Sequence, residues 1–421
     1  MEAYHISGGT PLRGTVQIQG AKNSVLPILA ATLTVGQPCV LENCPDISDV
    51  DTAIEILRHL GCHVRRENTT LLIDSSGADG FAIPYGLMRK MRAAVMFLGA
   101  LSARFGKAEL YLPGGCPLGA RPIDLHLRGL RHMGAEITQE GERIFCEAEH
   151  LQGCTIALPI PSVGATENLI LAAIAAKGTV TVCNAAREPE IGDLIGFLRA
   201  CGAEISGDGT SVLHITGGRK LHGAHYRVMP DRIVAATYLA AAAATGGEIC
   251  LERARPEHLQ AVTAVLQRAG CDIVTQEDRI QLHAGKLSGT GVIRTAPYDG
   301  FPTDAQAPVM AVLALADGLT IFDETVFENR FQHVPALTAM GANIQVTKRY
   351  AIVQGVRELH GRQMEATDLR GGAALVIAAL AAHGESVITK IEHIERGYAD
   401  LIPLLRSCGA RIERSTNDGT K

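Results

Sequence analysis

A repeated eight-residue motif is the feature of this sequence that most restricts its fold. It reads LRHLGCHV at 57–64, and related phrases recur at 130–137, 198–205, 266–273, 337–344 and 405–412. Their glycines are Gly61, Gly134, Gly202, Gly270, Gly341 and Gly409, spaced by 73, 68, 68, 71 and 68 residues. An amphipathic stretch closed by glycine is typical of a helix end that precedes a strand. The spacing therefore predicts six structural repeats.

A second set of glycines lies between the first. Each closes an apolar, alanine-rich stretch such as IVAATYLAAAAA, and the glycines are Gly36, Gly106, Gly178, Gly246, Gly318 and Gly384. A helix that is apolar on all sides is buried. We therefore expect each repeat to hold one buried helix, one half-exposed helix and short strands. Six such repeats fit two α/β domains of three repeats each.

One position recurs fourteen residues before each glycine of this second set. It is occupied by Lys22, Arg92, Gly164, Arg232, Asp304 and Arg370. A helix N-terminus favours anions through its free N–H groups and its dipole. Charges there can also mark only where the chain reaches the surface. Four cations in register, in a chain of formal net charge -5, favour a shared anion site.

Composition excludes several classes of protein. The acidic balance argues against a nucleic-acid binder. MEAYHISGG at the N-terminus lacks the pattern of a signal peptide, and no apolar run approaches the ~20 residues that span a bilayer. The eleven cysteines form no CxxC pair, so we expect free thiols of a reducing compartment and no zinc site. Neither a Walker loop nor GxGxxG is present.

The segment LPGGCPLGARPIDLH (112–126) makes the second repeat the longest between its two glycines. Its glycines allow motion and its prolines limit where it bends. Cys116 stands at the centre of this loop, five residues before Arg121, a cation that could lower the thiol pKa. A buried structural thiol is the commoner fate of cysteine. The glycine-rich surroundings favour a reactive thiol instead.

Other polar residues stand at or near helix starts. Each of them alone could be a solvated surface residue, and Asp304 could be a simple N-cap. They are Lys22 and Asn23 in GAKNSVLP, Asp304 in GFPTDAQ, Glu328 and Arg330 in ETVFENRF, Asp368 and Arg370 in ATDLRGG, and Arg396 in IERGYADL.

These motifs together resemble the enolpyruvyl transferases over the full chain. GAKNSVLPILAATL, PGGCPLGARPIDLH, PSVGATEN, NAAREPEIGDL, GFPTDAQ, ETVFENRFQHVP, ATDLR and IERGY follow in the family's order. The resemblance implies two inverse α/β barrel domains built from six βαβα-type repeats, with helices inside and sheets outside. One domain would cover 22–229, and the other would combine 1–21 with 230–421. The active site would lie in the cleft between them.

The resemblance also implies an activity. The enzyme would transfer the enolpyruvyl group of phosphoenolpyruvate to the 3-hydroxyl of UDP-N-acetylglucosamine and release phosphate, the first committed step of bacterial peptidoglycan synthesis. It would be cytoplasmic, with no organic cofactor and no metal, and with no nucleic-acid or membrane partner. The family's phosphonate epoxide inhibitor, fosfomycin, would react with Cys116.

The residue roles implied by the resemblance follow from the reaction. Cys116 matches the general acid and covalent cysteine, Asp304 matches the general base, and Lys22 and Arg396 complete the catalytic set. Glu328 and Asp368 would support the site. Phosphoenolpyruvate would be bound by Lys22, Asn23, Arg121, Arg370 and Arg396. The UDP-sugar would be bound by Asn23, Arg92, Arg121, Pro122, Ile123, Asp124, Leu125, Ser162, Val163, Gly164, Asp304 and Val326.

Two alternatives remain. The sister enzyme that acts on shikimate 3-phosphate shares the fold and the donor, but it would carry Lys-Ser in place of Lys22-Asn23 and lack the PGGC loop. It would also carry a GNAGT-like segment, which this sequence lacks. A non-catalytic paralogue would be marked by loss of Cys116, Asp304 or Lys22, and all three are present.

Overall fold

The computed structural model describes residues 2–114 and 122–416, and these residues divide into two compact units. Over the described residues, unit 1 comprises 2–19 and 230–416, and unit 2 comprises 20–114 and 122–229. Unit 2 is therefore inserted into the sequence of unit 1.

Fourteen α-helices lie in the described residues, with short 3-10 segments at Arg92–Met96 and Pro256–His258. The helices are α1 Lys22–Val35, α2 Ser48–His59, α3 Tyr85–Lys90, α4 Phe97–Phe105, α5 Asp124–His132, α6 Val163–Ala173, α7 Pro189–Ala200, α8 Arg232–Ala244, α9 Gln260–Arg268, α10 Thr303–Leu313, α11 Val334–Ala339, α12 Leu369–Ala381, α13 Glu392–Glu395 and α14 Leu401–Ser407.

The same part of the chain contains 23 strands, most of them of three to five residues. They are β1 Glu2–Ser7, β2 Arg13–Gln17, β3 Cys39–Glu42, β4 His63–Glu67, β5 Thr70–Asp74, β6 Lys107–Tyr111, β7 Glu136–Glu140, β8 Arg143–Glu147, β9 Thr155–Ala157, β10 Thr179–Cys183, β11 Glu204–Ser206, β12 Val212–Thr216, β13 His225–Arg227, β14 Glu248–Glu252, β15 Asp272–Gln276, β16 Arg279–His283, β17 Gly291–Arg294, β18 Leu319–Asp323, β19 Asn343–Thr347, β20 Tyr350–Gln354, β21 Gln363–Glu365, β22 Glu385–Thr389 and β23 Arg411–Thr416.

The twelve repeat glycines lie where helices give way to strands. All of them have positive φ, between 65° and 107°. This conformation is costly for residues with a β-carbon, so glycine suits the turn between each helix and the strand that follows it. The predicted succession of helix, glycine and strand is confirmed at every repeat.

Three apolar helices form the centre of each unit. They are α8, α10 and α12 in unit 1, and α1, α4 and α6 in unit 2, and within each unit the three pack on one another. Every residue of α8 from Ile233 to Ala243 is buried. Small residues allow close approach: a β-carbon on Gly99 of α4 would lie 2.3 Å from the Asn168 carbonyl oxygen of α6. The prediction of helices inside is confirmed.

Three sheets surround the helices of each unit, as far as the chain is described. Their strand orders are β21-β22-β1-β23, β15-β16-β14-β2 and β17-β18-β20-β19 in unit 1, and β13-β3-β5-β4, β6-β8-β7 and β11-β12-β10-β9 in unit 2. Burial alternates along strands such as β16 and β20, so one face of each packs inward. The described strands form separate sheets and close no barrel, which refines the predicted inverse α/β arrangement.

The N-terminal strands belong to sheets completed late in the sequence. β1 pairs antiparallel with β22 and β23, aligning Tyr4 with Ile388 and Ile6 with Ile412. β2 pairs parallel with β14. Residues 2–19 are thereby tied into unit 1.

Candidate active site

The core helices begin with the side chains that the repeat spacing identified. Within the described chain, each is the first or second residue of its helix, except that Arg92 opens the 3-10 segment before α4. These residues are Lys22, Arg92, Gly164, Arg232, Asp304 and Arg370. Their predicted equivalence is confirmed.

In unit 1, Asp304 is held between two buried guanidinium groups. Its Oδ1 accepts a hydrogen bond from Arg330 Nη2 at 2.7 Å, and its Oδ2 accepts from Arg370 Nη2 at 3.1 Å and Nε at 3.3 Å. The arginine side chains are 2% and 4% exposed, whereas that of Asp304 is 28% exposed. Buried charges need such partners. Asp304 is thus the member of this cluster that a ligand can reach most easily.

The alternative reading of Asp304 as an N-cap does not describe its place. The residue at the N-cap of α10 is Pro302, and Asp304 is the second helical residue. Its carboxylate oxygens accept hydrogen bonds from the side chains of Arg330 and Arg370. The carboxylate lies in the first turn of α10, at the positive end of the helix dipole.

Arg370 connects this cluster to a second core helix. Its Nη1 donates to the Tyr398 hydroxyl at 3.1 Å, and that hydroxyl lies 2.9 Å from Thr237 Oγ1 of α8. Thr237 itself donates to the Ile233 carbonyl at 2.9 Å, so Tyr398 donates to Thr237. Burial opposes the charge of Arg370, but Tyr398 and Asp304 outweigh it and raise its pKa. Arg370 therefore remains a cation.

Asp368, predicted to support the site, is the N-cap of α12. Its Oδ1 accepts from the N–H groups of Arg370 and Gly371, each at 3.0 Å. It is 5% exposed, and the same oxygen lies 4.0 Å from Arg330 Nη1. Asp368 therefore fixes the helix end that carries Arg370.

The supporting bonds near Val326 come from Glu324. It is 3% exposed and accepts hydrogen bonds from the hydroxyls of Thr295 and Thr303, at 2.9 and 3.0 Å. The Val326 N–H donates to it at 2.9 Å. Glu328 is exposed and makes no hydrogen bond within the described residues, and its supporting role stays a prediction. No sequence signal distinguished Glu324, because its partners Thr295 and Thr303 are far away in sequence.

In unit 2, Lys22 forms a largely buried ion pair. Its Nζ lies 3.0 Å from Asp49 Oδ2, and the two side chains are 13% and 5% exposed. Asp49 is the second residue of α2. The pair holds the lysine side chain at the beginning of α1. Sequence analysis had not identified Asp49 as its partner.

A neutral network joins α4, α5 and α6 of the same unit. Asn168 Oδ1 accepts from the Gly99 N–H at 2.6 Å, and its Nδ2 donates to the Val95 carbonyl at 2.8 Å. The same Nδ2 lies 2.7 Å from His126 Nδ1. Burial, followed by the nearby Arg92, lowers the pKa of His126 to about 4. Sequence analysis identified neither Asn168 nor His126.

The other predicted substrate residues lie mostly at helix beginnings. Ser162 caps α6 by accepting from the Ala165 N–H at 3.3 Å. Asn23 and Val326 are exposed, and Arg396 directly follows α13. In unit 2, Pro122 and Ile123 precede α5, Asp124 and Leu125 begin it, and Val163 and Gly164 begin α6.

Cys116 and Arg121 lie outside the described residues. The ten described cysteines are free thiols, and most are buried. Burial raises the pKa of Cys44 and of Cys62 to about 12, which makes both poor nucleophiles. Among the described residues, no cluster of His, Cys, Asp or Glu could hold a metal ion. No helix there is long and apolar enough to cross a membrane.

Comparison with known proteins agrees with this architecture. The sequence profile of the family described as EPSP synthase (3-phosphoshikimate 1-carboxyvinyltransferase) matches residues 6–405. UDP-N-acetylglucosamine 1-carboxyvinyltransferase 2 of Caldanaerobacter subterraneus subsp. tengcongensis is 46% identical over 98% of this chain and all of its own. UDP-N-acetylglucosamine 1-carboxyvinyltransferase of Shewanella amazonensis is 48% identical with the same coverage. The crystal structure of the enolpyruvyl transferase NikO from Streptomyces tendae has a TM-score of 0.88 at 28% identity, covering 98% of this chain and 99% of its own.

The two-unit fold, the charged helix ends and the near-full-length matches define a class of protein. The chain belongs to the EPSP synthase family of carboxyvinyltransferases. The resemblance seen in the sequence motifs is thereby confirmed.

Proposed function

We propose that the protein transfers the enolpyruvyl group of phosphoenolpyruvate to the 3-hydroxyl of UDP-N-acetylglucosamine. The observation that carries the proposal is near-full-length identity of 46% and 48% to relatives that bear the name of this activity. The charged cluster around Asp304 supports it, because it provides an accessible carboxylate beside a fixed cation.

The reaction has two stages, an addition and an elimination, and each stage requires proton transfer. The sugar 3-hydroxyl loses its proton as its oxygen bonds to C2 of phosphoenolpyruvate, while C3 gains a proton and becomes a methyl group. The resulting ketal then loses a proton from that methyl group, the C2–O bond to phosphate breaks, and the double bond re-forms. The products are the enolpyruvyl ether and inorganic phosphate. General acid–base groups typically contribute ~10²–10⁴-fold to such steps.

We assign the removal of the hydroxyl proton to Asp304. With both oxygens bonded to guanidinium groups, its carboxylate is held in position. An anionic donor that binds Arg370 would weaken the bond between Arg370 and Asp304 Oδ2 and leave that oxygen able to accept the hydroxyl proton. Binding of phosphoenolpyruvate would thereby prepare the base for the second substrate.

The remaining assignments follow the family motifs. Cys116 would donate the proton to C3, and Lys22, Arg121 and Arg396 would bind the phosphate, with Asn23 and Arg370 assisting. The ion pair with Asp49 supports this role of Lys22, because it holds the ammonium group at the beginning of α1. Arg92, residues 122–125, Ser162 to Gly164, and Val326 would contact the UDP-sugar.

The finer biological setting is also a proposal. The reaction would be the first committed step of peptidoglycan synthesis, in the cytoplasm, and so would serve cell wall biogenesis, cell shape and division. Fosfomycin would inactivate the enzyme by alkylating Cys116. The weak nucleophilicity of buried thiols such as Cys44 and Cys62 supports selective reaction elsewhere in the chain.

Phosphate release with two acceptors tests the proposal. Phosphoenolpyruvate with UDP-N-acetylglucosamine should release phosphate, and phosphoenolpyruvate with shikimate 3-phosphate should not. The opposite pattern would identify the sister activity, and release with neither acceptor would identify a non-catalytic paralogue. Mass mapping after fosfomycin treatment provides a second readout, since an adduct on a cysteine other than Cys116 would remove Cys116 from the mechanism.

A further inference from the structure

His126 is a buried polar side chain that neither the predicted site nor the proposed mechanism uses. It is the third residue of α5, and it is 6% exposed. Its Nδ1 bonds to Asn168, and its Nε2 makes no hydrogen bond within the described residues. Nε2 is not among the fully buried unpartnered atoms of the described chain, so a ligand can reach it.

The hydrogen bonds around Asn168 fix the proton on His126. A backbone N–H can only donate, so the Gly99 N–H identifies the Asn168 atom it meets as the oxygen. The other end of the amide is therefore the donor, and it faces the Val95 carbonyl and His126 Nδ1. Nδ1 must accept, so the proton of the neutral imidazole is on Nε2. The low pKa of His126 keeps the ring in this neutral form near pH 7.

This Nε2–H lies beside the beginning of α6. A β-carbon on Gly164 would lie 3.2 Å from His126 Cε1 and 3.4 Å from Nε2, so the ring edge occupies the place of a Gly164 side chain. Gly164 is not among the residues with positive φ, so its backbone conformation does not demand glycine. Close approach of the imidazole accounts for it. Gly164 is the one position of the repeat series without a side chain. The imidazole of His126 occupies the space that a side chain would take there.

The beginning of α6 also presents free backbone donors. The N–H groups of Val163 and Gly164 have no acceptor within the described residues, while Ser162 Oγ accepts from Ala165. Such N–H groups at the positive end of a helix bind phosphate oxygens. The Nε2–H adds a third donor whose direction is fixed by Asn168.

We infer that His126 is a substrate-binding residue, whose Nε2–H donates to a diphosphate oxygen of the nucleotide sugar at the N-terminus of α6. The inference rests on the proposed function for the identity of the nucleotide sugar. The contact itself requires only a diphosphate.

Two substitutions separate this role from simple packing. In His126→Asn, the amide oxygen reproduces the Nδ1 acceptor for Asn168, but nothing reaches the place of Nε2. In His126→Gln, the longer amide can place an N–H near Nε2, while the bond to Asn168 is lost. A binding role predicts that the asparagine variant is the weaker binder, and a packing role predicts the reverse.

We expect the substitution to weaken the affinity for one substrate only. A hydrogen bond to a charged oxygen corresponds to a change of about tenfold or more in affinity. His126→Asn should raise the KM for UDP-N-acetylglucosamine by about that factor and leave the KM for phosphoenolpyruvate unchanged. His126→Gln should remain much closer to wild type. Unchanged KM values in His126→Asn, or equal losses for both substrates in both variants, would overturn the inference.

Calorimetry keeps this test separate from the proposed activity. Binding of UDP and of uridine to the wild type and to His126→Asn needs no turnover. The variant should bind UDP about tenfold more weakly than the wild type does. For uridine, which has no phosphates, the two proteins should not differ. An equal penalty for both ligands, or no binding of UDP to the wild type, would contradict the contact even if phosphate release had failed for another reason.

Discussion

The two units use the same architecture but different polar chemistry at the beginnings of their core helices. Unit 1 gathers Asp304, Arg330, Asp368 and Arg370 into one cluster of charges. In unit 2 the amide of Asn168 links α4, α5 and α6, and the Lys22–Asp49 pair stands at α1. The comparison shows that the repeat fixes where polar groups are presented, whereas the residues of each repeat decide which chemistry they perform. The carboxylate of the charged cluster in unit 1 can remove a proton. The neutral hydrogen-bond donors of unit 2 can bind a substrate without changing their protonation.

The largest effect is expected from removing the charge of Asp304. Asp304→Asn should lower kcat by ~10²–10⁴-fold, because the base acts in the transition state. The KM for phosphoenolpyruvate should stay the same or fall, since Arg370 loses its competing carboxylate. Steady-state kinetics measures both effects. The control is Asp317→Asn, which changes a carboxylate in an exposed ion pair. Near-normal kcat in Asp304→Asn would end the assignment of the base.

Arg330→Met should destabilise unit 1 by about 3–5 kcal/mol, because it breaks a buried pair and leaves carboxylates undercompensated. The counterpart in unit 2, Asn168→Ala, should cost about 1–3 kcal/mol, since it leaves neutral groups unpaired. Hydrogen exchange in peptides of each unit measures both losses. Lys286→Met removes an exposed pair and should cost less than about 1 kcal/mol. Equal losses for Arg330→Met and Asn168→Ala would erase the contrast between the units.

Acid should weaken unit 2 through His126. Its folded pKa of about 4 lies below the unfolded value of ~6.5, so its contribution is complete above pH 6.5 and is lost as the pH falls towards 4. The shift corresponds to about 3 kcal/mol. Relative to His126→Asn, the wild type should lose about that much unfolding free energy between pH 7 and pH 4, measured with urea. A difference independent of pH would contradict the neutral, buried imidazole. Burial lowers the pKa of His333 in unit 1 as well, so only the difference between variants isolates unit 2.

The smallest effect concerns the helix caps. Ser162→Ala in unit 2 removes one bond of 3.3 Å and should cost about 0.5–1 kcal/mol. Asp368→Ala in unit 1 removes two bonds of 3.0 Å from a buried carboxylate and should cost more. Exchange rates of the first amides of α6 and α12 report the two losses. A larger cost for Ser162→Ala would show that the charged caps of unit 1 bring no extra stability.

The fold could be predicted from the sequence because its signals are local and repeated. Each glycine with positive φ closes a helix within its own segment, and an alanine-rich apolar run indicates burial without knowledge of its neighbours. The arrangement of the separate sheets around the helices depends on contacts that no single segment encodes. The predicted layering, with helices inside and sheets outside, is confirmed.

Sequence analysis predicted the site residues at the helix beginnings. It did not predict which side chains pair with them. Lys22, Asp304 and Arg370 stand in register, which a single sequence reveals. Arg330 looked like a surface charge, yet it is among the most buried large side chains of the described chain. Its partner Asp304 is 26 residues away, and the two lie together only because the turn before α11 packs against α10. Asn168 and His126 were missed for the same reason, since their network needs three helices at once.

The pairing of β1 has a consequence for synthesis on the ribosome. The chain emerges from its N-terminus, so β1 appears first but its partners, β22 and β23, appear last. All residues of unit 2 precede α8 in the sequence, so they emerge from the ribosome before α8 does. Domains generally fold as units during translation. Unit 2 can thus be complete while residues 2–19 remain an unpaired leading segment. β1 therefore cannot pair with both of its neighbours until residues 385–416 have been synthesised.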